Sequence, residues 1–94
     1  MSQPLHSMIK TYGALVVDDS TVQRMYMVEL LHEAGINRVL EAADGYAGLD
    51  AIRSQFPPPA MLIVDLEMPG MDGIEMLQNL ASENYRPPVM VASG

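Results

Sequence analysis

Two short runs, Gly13-Ala14-Leu15-Val16-Val17 and Ala60-Met61-Leu62-Ile63-Val64, are apolar throughout, and each ends in acid: Asp18-Asp19 after the first, Asp65 after the second. Neither alternates with polar residues, so each reads as a short strand buried on both faces, as in a parallel sheet. A buried helix would give the same pattern, but Pro57-Pro58-Pro59 before the second run and Pro69-Gly70 after it leave too little room for one. Open parallel sheets bind ligands at the carboxyl ends of their strands, so acids emerging there are placed for chemistry. Taken singly, an Asp after a strand is a turn residue and Met68-Pro69-Gly70 is loop punctuation. Two strands that deliver carboxylates to one edge make a constellation.

The intervening segments supply crossovers. Ser20 with Gln23 three residues on is a capping-box pattern for a helix starting at Thr21, with Met27, Leu30, Leu31 and Ala34 as its apolar stripe and Gly35 as its end. Residues 37–42 read as a strand nearer the sheet edge, and Asp44 caps a helix running to about Gln55, with Leu49, Ile52 and Phe56 on one side. Asp72 and Glu75 open a third helix with the stripe Ile74, Leu77, Leu80 and Ala81, and Val89 to Ser93 form a fourth strand. Met1 to Tyr12 reads as an irregular leader. The order β-α-β-α-β-α-β predicts right-handed βαβ units, and so a doubly wound parallel sheet with helices on both faces.

Composition narrows the function. The chain has 94 residues and is 49% hydrophobic and 18% charged, which suits one small globular domain. A net charge of -7 argues against a nucleic-acid-binding surface. The chain has no cysteine, which removes disulfides and thiolate metal sites and fits a reducing compartment. No segment has the length of a membrane span and the start does not read as a secretory signal, so the expected location is cytoplasmic. Three carboxylates, Asp18, Asp19 and Asp65, would repel one another at the sheet edge, and a divalent cation relieves that cost. Oxygen ligands favour Mg²⁺. A free carboxylate is also a nucleophile toward phosphorus, forming an acyl phosphate.

In Val16-Val17-Asp18-Asp19-Ser20, Leu62-Ile63-Val64-Asp65, Met68 to Gly73 and Val91-Ala92-Ser93, residues 13–94 resemble the receiver domain of bacterial two-component response regulators. The resemblance implies a flavodoxin-like fold in which Asp65 accepts a phosphoryl group from a sensor histidine kinase. It implies that Asp18 and Asp19 bind Mg²⁺, one directly and one through water, with Asp65 and the backbone carbonyl of Glu67 completing the site. Ser93 matches the switch hydroxyl, and Pro69 and Gly70 match the turn that shapes the acceptor loop. The family also carries a Lys on a fifth strand and two further helices. Lys10, the only lysine, lies in the leader, so the sequence reads as a receiver truncated at Gly94. Such a fragment is expected to expose its fourth strand, inviting a homodimer or segment exchange.

The resemblance implies a signalling module, not an enzyme. Two other functions compete. A phosphatase of the haloacid dehalogenase type also uses a strand-end Asp and Mg²⁺, but wants a second Asp two residues on, where this chain has Glu67. A receiver-like interaction module that is never phosphorylated has only the missing Lys in its favour.

Overall fold

A computed structural model describes residues 4–92 of the chain. Its elements are α1 (Leu5–Tyr12), β1 (Ala14–Val17), α2 (Thr21–Glu33), β2 (Val39–Ala42), α3 (Gly45–Ser54), β3 (Met61–Val64), α4 (Gly73–Ser82) and β4 (Val89–Val91). The four strands form one sheet in the order β2-β1-β3-β4, all parallel. This is the expected doubly wound arrangement, and the two continuously apolar strands hold its centre.

Successive side chains of a strand point to opposite faces, so each central strand feeds two cores. Leu15, Val17, Leu62 and Val64 face α3 and α4, where they meet Leu49, Ile52, Met76 and Leu80. Ala14, Val16 and Ile63 face α2, where they meet Leu31 and Ile36. Each Leu or Ile fully buried in this way contributes about 1.5–3 kcal/mol by leaving water.

The helix ends follow their local chemistry. The Ser20 hydroxyl accepts from the Gln23 N–H at 3.3 Å, and Asp44 and Asp72 cap α3 and α4 from the Ala47 and Glu75 N–H groups. At the other end of α2, the Gly35 N–H donates to the His32 carbonyl and the Ile36 N–H to the Leu31 carbonyl. That pairing is a Schellman motif, and it needs the left-handed backbone that Gly35 adopts, φ 91°.

Three expectations are corrected. The leader is a helix over Leu5–Tyr12, because Leu5, Met8, Ile9 and Tyr12 fall at helical spacing; Ile9 packs on the α2-side core and the Tyr12 carbonyl accepts from Arg38. The inward stripes of α2 and α4 are Arg24-Met27-Val28-Leu31 and Gly73-Met76-Leu77-Leu80. Leu30, Ala34, Ile74 and Ala81 are exposed instead. Each helix carries more apolar residues than one face can bury, and the sheet selects the phase. Phe56, expected on the inner side of α3, lies beyond its end and is 93% exposed.

Candidate functional site

Register builds the site. Val17 of β1 pairs with Val64 of β3, so the two strands finish level and the residues that follow, Asp18 and Asp65, emerge side by side. Adjacent strands lie about 4.8 Å apart. The last rungs of the ladder fix both backbones: the Asp65 N–H donates to the Val17 carbonyl at 2.9 Å and the Asp18 N–H to the Ala42 carbonyl at 3.0 Å.

Asp18 and Asp65 are buried and Asp19 is exposed. One oxygen from each of the three carboxylates lies within 4.8 Å of the others. Two carboxylates are also held from below by the chain. Asp18 Oδ1 accepts from the Ser20 N–H at 2.8 Å and Asp65 Oδ1 from the Glu67 N–H at 2.9 Å. Each acid thus folds the turn that follows it while keeping a second oxygen available.

This arrangement fits a hard divalent cation. Oxygens on opposite sides of a Mg²⁺ ion, at about 2.1 Å each, are separated by roughly 4.2 Å, and those of Ca²⁺ by up to about 5 Å. The spacing found here needs only a small inward adjustment, and all donors in the cluster are oxygens.

The other expected residues fall around this centre. Glu67 is exposed, its side chain lies outside the carboxylate cluster, and its backbone is tied to Asp65 through the hydrogen bond above. Pro69 and Gly70 are exposed in the loop between β3 and α4, with Gly70 at φ 76°. Ser93 lies outside the described residues.

Two supports escaped sequence reasoning. A Cβ on Gly73 would lie 2.7 Å from the Asp65 carbonyl oxygen and 2.7 Å from Val64 Cγ1, so only glycine lets the start of α4 close over the acceptor strand. The cue was present as Asp72-Gly73, a capping acid followed by glycine. Arg24 is the second. Its Nη1 donates to the Asp18 carbonyl at 2.6 Å and its Nε to Glu41 Oε1 at 3.2 Å. A cation on the inward stripe of α2, one turn after Ser20, was the available signal.

Comparison with known proteins agrees with this geometry. The response regulator receiver domain model matches residues 14–94, and the chain belongs to that family. A protein-glutamate methylesterase/protein-glutamine glutaminase of Natronomonas pharaonis is 41% identical over 81 residues, which are 86% of this chain and 22% of the relative. One from Hahella chejuensis is 39% identical over 85 residues, 89% of this chain and 23% of that protein. The chain therefore spans less than a quarter of the curated relatives it matches. Among solved structures, the receiver domain of Francisella response regulator 1452 superposes with TM-score 0.77 at 30% identity, covering 85% of this chain and 64% of that one. The Borrelia burgdorferi CheX-CheY-BeF3-Mg complex gives TM-score 0.78 at 29% identity, covering 85% and 60%.

Proposed function

We propose that this chain is a phosphoacceptor receiver, with Asp65 taking the phosphoryl group and Asp18, Asp19 and Asp65 holding Mg²⁺ together with the Glu67 carbonyl. The observation that carries the proposal is the convergence of three carboxylates at the ends of two adjacent strands, with oxygens within 4.8 Å. Family membership and the Mg and BeF3 of the Borrelia complex support it.

The donor is a phosphohistidine of a sensor kinase. A carboxylate oxygen of Asp65 attacks phosphorus, the P–O bond forms as the P–N bond breaks, and the imidazole nitrogen leaves with the electron pair and takes up a proton. Mg²⁺, when bound, supplies positive charge against the anions of the site and of the phosphoryl group. The chain does the rest. The Glu67 N–H holds one Asp65 oxygen and so turns the other toward the edge, while the Ser20 N–H does the same for Asp18. Ser93 is the proposed switch hydroxyl, and Pro69 and Gly70 shape the loop over the acceptor. Within this chain residues 13–94 belong to the receiver unit, and α1 precedes it.

No described helix is long and apolar enough to cross a membrane, and a cytoplasmic signalling role is the reading that suits the kinase partner. The segment shared with the relatives named for methylesterase and glutaminase activities is less than a quarter of those proteins.

Chemical mapping tests the assignment. After incubation with acetyl phosphate and Mg²⁺, borohydride reduces an aspartyl phosphate to homoserine. Homoserine at position 65 is expected in the peptide digest; homoserine only at other acids, or none, would refute it.

A further inference from the structure

A guanidinium on the inward stripe of a helix calls for partners, because burying a charge without them is costly. Arg24 has two: the Asp18 backbone carbonyl at 2.6 Å and Glu41 at 3.2 Å on the neighbouring edge strand. Its side chain is 16% exposed, against 47% for Glu41, so the fork is seated under the acidic edge while its anchor reaches water.

We propose that Arg24 is a positioning residue for the cation-binding edge: anchored by Glu41, it fixes the plane of the Asp18–Asp19 peptide and so the directions in which the two carboxylates leave the chain. This rests on the metal-dependent function proposed above. Asp18 is held at three atoms, its N–H on Ala42, its Oδ1 under the Ser20 N–H and its carbonyl on Arg24. The Asp18 carbonyl and the Asp19 N–H share one rigid plane. Asp19 is exposed, so packing does not aim its side chain and the plane does. Lysine cannot copy the arrangement, since one ammonium lacks the planar fork that serves a carbonyl and a carboxylate together.

A guanidinium acting only through its charge would have the opposite sign, because a cation beside the site repels Mg²⁺. A merely structural Arg24 would change melting and leave Mg²⁺ affinity alone. The test is Mg²⁺ titration by calorimetry on the parent, Arg24→Gln, Arg24→Lys and Glu41→Gln, with the amide resonance of Asp19 followed in metal-free protein. Positioning predicts a Kd raised about tenfold in Arg24→Gln, the scale of lost support behind metal ligands. Arg24→Lys should recover part of that loss, Glu41→Gln should show a smaller loss, and the Asp19 amide should move in Arg24→Gln before any metal is added. An unchanged or tighter Kd in folded Arg24→Gln overturns the proposal, as does an unmoved Asp19 amide. If Arg24→Gln does not fold, Glu41→Gln decides, with unchanged affinity refuting it. A parent that binds no Mg²⁺ would count against the function proposed above, and the Asp19 amide would still decide the positioning role.

Discussion

Gly73 sits where α4 begins, and its missing side chain is what the acceptor strand leans on. Alanine is the better helix former by up to about 1 kcal/mol. Here that gain loses, because the new methyl would meet backbone oxygen of Asp65 at 2.7 Å, and a backbone cannot yield as a side chain does. Gly73→Ala is expected to lose about 1–3 kcal/mol of stability in urea unfolding, the range for overpacking. Stability equal to or above the parent would show that the start of α4 leaves room for a methyl group. Tyr85 makes a second test at this scale. Burial pushes its hydroxyl up to about 12, partly offset by the Arg38 charge, and the hydroxyl donates to the Pro59 carbonyl. Because the folded value is raised, the stabilisation is complete below the unfolded value of about 10 and is lost as pH rises toward 12. Tyr85→Phe should therefore lose less stability than the parent between pH 10 and pH 12 in thermal melts; equal slopes would dismiss the linkage. The three acids were legible in the sequence because Asp18-Asp19 and Asp65 each follow an unbroken apolar strand. Arg24 and Gly73 were not, since their roles exist only once the fold sets Arg24 against the Asp18 carbonyl and Glu41, and Gly73 against the Asp65 carbonyl.

At the scale of elements, the identity of the two central strands followed directly from unbroken apolar runs, whereas helix phase did not. Met27, Leu30, Leu31 and Ala34 satisfy helical spacing as well as Arg24, Met27, Val28 and Leu31 do. Spacing cannot choose between them, because a polar Arg looks wrong for an inward position until its partners are known. Leu31 is 7% exposed and Leu30 41%. Leu31→Ala should cost about 2–5 kcal/mol, the range for buried Leu truncation, and Leu30→Ala less than about 1 kcal/mol. Urea unfolding of the pair checks the phase, and a reversed order would contradict it. The helical leader was missed for a related reason: Pro, Ser and His among its residues masked the spacing of Leu5, Met8, Ile9 and Tyr12.

For the whole molecule, the described sheet is asymmetric. β2 ends it on one side beneath α2 and α3, while β4 ends it on the other with Val89, Met90 and Val91 39–52% exposed. Ladder bonds from Leu62 to the Pro88 carbonyl and from Ala92 to the Val64 carbonyl turn Val89 and Val91 backbone groups away from β3. An apolar edge of this kind pairs readily, and for a chain of these 94 residues alone a second copy is the expected partner, opposed by a net charge of -7 per chain. Sedimentation should show concentration-dependent dimers that strengthen with salt, as screening relieves the repulsion. A monomer at all concentrations and salts would exclude this pairing.

Whether the edge built by β1 and β3 makes Asp65 a phosphoacceptor can be read from intact mass. The chain and Asp65→Asn are incubated with acetyl phosphate, each with and without Mg²⁺. One phosphoryl adduct is expected on the parent, dependent on Mg²⁺ and absent from Asp65→Asn. An adduct that persists in Asp65→Asn, or a folded parent that takes none in the presence of Mg²⁺, would contradict it.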